Sequence, residues 1–92
     1  MTELRFTRHA LEKMFQRGIS PEECERVFRQ SKVIESYPED KPFPSELRLG
    51  KVGDRTIHLV VSFGSDAVHV ITAYEPDPKR WTRGFAKRRK RR

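Results

Sequence analysis

The chain has 92 residues, of which 35% are hydrophobic and 36% charged, and its 20 Lys and Arg against 13 Asp and Glu give a formal net charge of +7. That length allows one domain at most, and no apolar run approaches the length needed to span a bilayer, so no membrane partner is expected. The single cysteine, Cys24, excludes an internal disulfide framework, and with three scattered histidines it fits no structural zinc spacing, so no metal or cofactor is expected.

The first predicted element is a short strand at residues 3–6. Thr7 is a plausible N-cap for a helix over Arg8–Arg17, which Gly18 ends at the C′ position. Ala10, Leu11, Met14 and Phe15 recur at helical spacing and mark its apolar face. A second helix opens on Ser20 as cap, Pro21 in the first helical position and Glu23 as the far half of a capping box. Cys24, Val27 and Phe28 form its buried stripe, and it fades near Gln30. Residues 32–37 read as a strand or an extended connector, and the proline-bearing stretch 38–44 as a loop.

Three further strands follow. Residues 47–52 are the first, and Gly53-Asp54 turns the chain. Residues 55–63 alternate Ile57, Leu59, Val61 and Phe63 and are the strongest β signal. Gly64-Ser65-Asp66 makes a hairpin into a last strand at 67–75, which Pro76 and Pro78 end. The order predicts an α+β domain: a short N-terminal strand, then two helices on one face of a curved three- or four-stranded antiparallel sheet. A single domain over 1–82 and a basic C-terminal tail over 83–92 are expected.

If Phe63 pairs with Val68, parity places Ile57, Leu59, Val61, Phe63, Val68, Val70, Thr72 and Tyr74 on the core face. His58, Val60, Ser62, His69, Ile71 and Ala73 take the other. Leu47 and Leu49 are read as core residues, so Arg48 falls on the open face beside His58, Ser62 and His69.

The charge is uneven. Residues 79–92 carry nine Lys or Arg and no acid, whereas the other 78 residues hold eleven bases and thirteen acids, a net −2. A local cationic run attracts polyanions, of which nucleic acid is the commonest in a cell. RNA or the ribosome is the expected partner, bound by Arg17, Lys87, Arg88, Arg89, Lys90, Arg91 and Arg92. A cytoplasmic location follows by default, since the opening MTELRF lacks the order of a secretion signal.

His58 reads in two ways, as a packed histidine with one hydrogen bond or as a general acid or base titrating near neutrality. Arg48 is either a phosphate stabiliser or a solvated side chain. His9 lies opposite the apolar stripe of the first helix. Arg17 precedes Gly18 and could cap helical carbonyls. Tyr74 is a core aromatic with its hydroxyl at the rim, Cys24 is inert packing, and Trp81 is either a hydrophobic lid or, among basic residues with Phe85 nearby, a surface for stacking bases.

Several segments together resemble the bacterial domain of unknown function 4258 family. They are Phe6-Thr-Arg-His-Ala-Leu-Glu-Lys-Met14, Gln16-Arg-Gly-Ile-Ser-Pro-Glu-Glu23, Arg55-Thr-Ile-His-Leu-Val-Val61, and Ile71-Thr-Ala-Tyr-Glu-Pro-Asp77 with Trp81. The likeness covers about residues 4–82, and Lys13 stands where arginine is usual. The family is similar to small toxins of the RelE and ParE type. The resemblance implies a toxin component with a cognate antitoxin, acting as a metal-independent ribonuclease on messenger RNA, and it points to His9, Arg17, His58 and Tyr74. On that reading His58 is the general acid or base and Arg48 the phosphate stabiliser. A non-catalytic nucleic-acid or ribosome-binding module and a protein-interaction subunit are the alternatives.

Overall fold

The computed structural model describes residues 3–90. Its elements in chain order are β1 (Leu4–Phe6), α1 (Arg8–Arg17), α2 (Pro21–Gln30), β2 (Lys32–Tyr37), β3 (Ser45–Val52), β4 (Arg55–Phe63) and β5 (Val68–Tyr74). The α+β architecture expected from the sequence is present. Its sheet, however, has five strands in the order β1-β5-β4-β3-β2, and β1 runs parallel to β5. The mixed sheet follows from connectivity. The helix pair carries the chain from one edge strand to the other, with α1 over β5 and α2 over β3. No described helix is long and apolar enough to cross a membrane.

Local chemistry accounts for the helix ends. Thr7 accepts from the backbone N–H of Ala10, and Gly18 closes α1 in the left-handed region at φ 68°. Ser20 and Glu23 form a reciprocal capping box, with Pro21 in the first turn of α2. Arg55, rather than Arg17, serves the exposed carbonyls at the end of α1. Its guanidinium donates to the Gly18 oxygen at 2.9 Å and pairs with Glu23 and Glu75.

The helices bury Ala10, Met14, Ile19, Cys24 and Val27 against Ile57, Leu59 and Val61 of β4 and Val68, Val70 and Ala73 of β5. Desolvation pushes the Cys24 thiol up to about 12, so it stays protonated and packs as a small apolar group against Met14. Gly50 lets α2 approach β3 closely. A Cβ there would sit 2.9 Å from Val27 Cγ1 and 3.0 Å from the Val27 carbonyl oxygen.

The apolar face expected for α1 is only partly buried. Leu11 is 43% exposed and Phe15 87%. Ala10 and Met14 occupy the narrow strip that meets the sheet, and Leu11 and Phe15 project into the gap beside Pro21.

Two face assignments are corrected. Phe63 does pair with Val68, but β5 carries a bulge, since Val60 pairs with Thr72 and Val61 with Val70. The unpaired Ile71 shifts the parity of the residues after it. Ala73 enters the core, and Thr72 and Tyr74 join Val60 and His58 on the opposite face. The two-residue turn pairs Val52 with Arg55 and thus Leu49 with His58 and Arg48 with Leu59. Leu47 and Leu49 therefore face away from the helices, and Arg48 faces toward them.

The face away from the helices is not open. Residues 77–90 fold back across it as a strap. A turn on Asp77 starts the strap, with the backbone N–H groups of Arg80 and Trp81 donating to the Asp77 carbonyl. Thr82 N–H donates to the Lys87 carbonyl and Arg89 N–H to the Arg80 carbonyl, both at 2.8 Å, and Trp81 bridges to Arg88. Trp81 is 3% exposed, and His58 and Leu47 are buried on the face it covers. Past residue 82 the strap reaches the sheet through the Phe85 carbonyl, which accepts from His58, and through Arg88, which pairs with Glu35.

Candidate functional site

Sheet register assembles the most distinctive cluster of polar side chains. On the strap face, Glu35 of β2 lies opposite Leu47, and His58 of β4 lies opposite Tyr74 of β5. The strap brings Trp81, Phe85 and Arg88 onto this surface.

His58 is completely buried and both ring nitrogens are engaged. Nε2 is 2.8 Å from the Phe85 carbonyl oxygen, which can only accept, so Nε2 carries the proton. Nδ1 then accepts from the Tyr74 hydroxyl at 3.3 Å. The ring meets Trp81 edge-to-face at 4.4 Å and Tyr74 at 5.3 Å. Burial is the main cause that lowers the His58 pKa. The Phe85 carbonyl and Glu35 oppose that shift, and nearby Arg88 adds to it. A neutral imidazole therefore fills this site at pH 7. Burial likewise raises the Tyr74 pKa, so the phenol remains a donor.

Arg88 fastens the strap to the far edge of the sheet. Its Nε and Nη2 donate to the two carboxylate oxygens of Glu35 at 2.9 and 3.2 Å, a bidentate pair. Glu35 also accepts from the Tyr37 hydroxyl. These bonds, that to Arg88 first, hold the Glu35 carboxyl below its ordinary pKa. The Arg88 guanidinium lies 4.6 Å over the Trp81 ring, so Trp81 is enclosed between Arg88 outside and His58 inside.

The remaining expected residues do not join this cluster. Arg48 sits in the helix layer, stacked 4.7 Å over Phe28, with Nε donating to Ser31 Oγ and Nη1 to Glu46, both at 2.7 Å. It was expected on the face of His58 because Leu47 and Leu49 are apolar. That face is crossed by the strap, and Leu47 is buried there while Leu49 is half-buried. His9 is exposed on α1, in the layer across the sheet. Arg17 reaches round β5, where Nη1 donates to the Ala73 carbonyl at 2.9 Å and to Thr72 Oγ1 at 3.1 Å. His69 pairs with Ser62 and with Arg5 of β1, away from His58.

Of the basic tail, Arg88 and Arg89 are tied down, the latter through Nε to the Pro78 carbonyl at 2.8 Å. Lys79, Arg80, Arg83, Lys87 and Lys90 are exposed along the strap, where no acid follows Asp77. Arg91 and Arg92 lie outside the described residues. Sequence reasoning missed Glu35 and Tyr37, although their spacing of two on a strand placed both side chains on one face. Among the described residues, no three His, Cys, Asp or Glu side chains gather as metal ligands would.

Residues 6–75 match the family described as Domain of unknown function (DUF4258), and the chain belongs to that family. The matched span includes His58 and Tyr74 and stops before the strap. No curated protein and no solved structure matches the chain.

Proposed function

We propose that this member of the DUF4258 family binds RNA through the outer surface of its C-terminal strap. The carrying observation is a row of exposed cations (Lys79, Arg80, Arg83, Lys87 and Lys90) on a segment that backbone hydrogen bonds and Trp81 hold in one shape. A fixed cationic surface meets a phosphate backbone with less ordering cost than a loose arm of the same charge. A ribonuclease built on His58 and Tyr74 requires the strap to leave the sheet, and Arg48 lies on the wrong side to stabilise a phosphate there. Binding is therefore the reading that the geometry favours.

The test is fluorescence anisotropy of a labelled RNA over a salt series, with Lys79, Arg80, Arg83 and Lys87 replaced together by alanine. All four are exposed, so the fold should be retained. Neutralising about four phosphates of a single strand corresponds to a log–log salt slope near ~−3. The substituted protein is expected to lose at least roughly tenfold in affinity at low salt and most of that slope. Equal affinity and slope in both proteins would sink the proposal.

A second reading, a toxin component held by a cognate antitoxin, draws on a different observation. Phe15, at 87% exposure, and Leu11 form an uncovered apolar patch against Pro21, as a protein partner would occupy. Co-expression with the product of the neighbouring gene, followed by pull-down, should give a complex that Phe15→Glu abolishes. A complex that survives this change places the partner elsewhere.

A further inference from the structure

We infer that the groove between the Gly84-Phe85 turn and the adjoining end of the sheet is a slot for an unpaired nucleobase, so that the RNA this chain binds is single-stranded. The inference rests on the RNA-binding reading above. Lys32 pairs with Leu49 and Lys51 with Thr56 across neighbouring strands. Period-two alternation therefore puts all four side chains on the strap face, past His58 toward the end of the sheet. Phe85 borders this open groove on the strap side, and its volume is about 530 Å³. Lys32, Leu49, Lys51 and Thr56 line it together with Gln30 and Gly50, and no carboxylate does.

The Phe85 backbone is the unusual feature. Its φ is +62°, the only positive φ of a non-glycine residue among the described residues, directly after Gly84 at +88°. Such a conformation persists only where its surroundings enforce it. Two contacts fix it: the Phe85 N–H donates to the Thr82 carbonyl at 2.8 Å, and the Phe85 carbonyl oxygen accepts from His58 Nε2 at 2.8 Å. A buried histidine thus acts as a positioning residue for a half-exposed aromatic ring at the mouth of a groove.

That arrangement suits one class of ligand. An aromatic face stacks on any base, and flanking ammonium groups take the neighbouring phosphates. A base inside a duplex has no free face to offer, so a duplex would meet only the cations of the strap.

The experiment compares a labelled single-stranded oligoribonucleotide with its own duplex, using wild type, Phe85→Leu, Phe85→Trp and the pair Lys32→Ala/Lys51→Ala. Phe85→Leu is expected to lose roughly tenfold for the single strand and nothing for the duplex. Phe85→Trp should bind the single strand at least as well as wild type. The lysine pair, both residues exposed, should flatten the single-strand salt slope by about 1.4. Undiminished single-strand binding by Phe85→Leu, or equal losses for both ligands, overturns the slot while leaving the strap surface intact. Wild type that binds neither ligand overturns both readings.

Discussion

Replacing Trp81 with alanine is expected to destabilise the domain by about 3–5 kcal/mol, the range for truncating a buried large aromatic side chain. Trp81 is 3% exposed although it lies in the most highly charged stretch of the chain. Its ring covers His58, and the Arg88 guanidinium lies across its outer face. Truncation removes that apolar area and leaves His58, buried now, facing a gap. It also deprives Arg88 of its aromatic partner, which leaves the partly exposed Glu35 pair, worth about 1 kcal/mol or less, and the His58–Phe85 hydrogen bond to hold the strap. Urea unfolding followed by far-UV circular dichroism measures the loss. Arg83→Ala is the control, since Arg83 is exposed and its loss should stay within about 0.5 kcal/mol. A Trp81→Ala midpoint shifted by less than about 1 kcal/mol would mean that the strap is an appendage and that the domain ends before it. As the only tryptophan in the chain, Trp81 also reports its own environment: wild-type emission should be blue-shifted and should move to longer wavelength as the strap is released.

The helices were legible because their signals are local. Thr7, Gly18, Ser20, Pro21 and Glu23 each satisfy or relieve a nearby backbone group, and all occur where the sequence places them. The β4–β5 hairpin was legible up to its bulge. Alternation carries no mark for one unpaired residue at Ile71, and that residue moves Tyr74 from the core to the side of His58. Apolarity misplaced Arg48 for a different reason. Leu47 is buried, but a sheet covered on both faces cannot be sorted into a core face and an open face by hydrophobicity alone. The two-residue turn at Gly53-Asp54 held the correct answer, since pairing Val52 with Arg55 puts Leu49 opposite His58. The strap was the least legible part. Composition shows a run of like charges, and nothing in it distinguishes Arg88, which Glu35 and Trp81 hold, from the exposed Lys87 and Lys90.

The state of His58 decides between a structural and an acid–base role, and stability against pH reads it. An unfolded histidine titrates near ~6.5. In the folded chain burial lowers that value, with Arg88 acting in the same direction and the Phe85 carbonyl and Glu35 opposing it. Between the two values the unfolded state binds more protons, so stability rises with pH in that window. The contribution of His58 is thus fully present above about 6.5 and is lost as pH falls below it through the folded value. A second loss begins only below about 4.5, where the depressed carboxyls of Glu35 and Glu23 start to take up protons in the unfolded chain. The mechanism of the first loss is specific. Protonated at Nδ1, His58 can no longer accept from Tyr74, and it gains a positive charge close to Arg88. Urea midpoints measured from pH 8 to pH 5 should therefore fall below pH 6.5 for wild type. They should stay nearly level for His58→Gln, at a stability lower by about 1–3 kcal/mol because the Phe85 carbonyl and Tyr74 hydroxyl lose their fitted partner. A wild-type profile that is level across this range would show that solvent reaches the imidazole. The strap would then stand off the sheet in solution, and His58 would be free to act on a bound phosphodiester. A slope that persists unchanged in His58→Gln would place its origin in another group and overturn the reading of His58 as a buried, neutral imidazole.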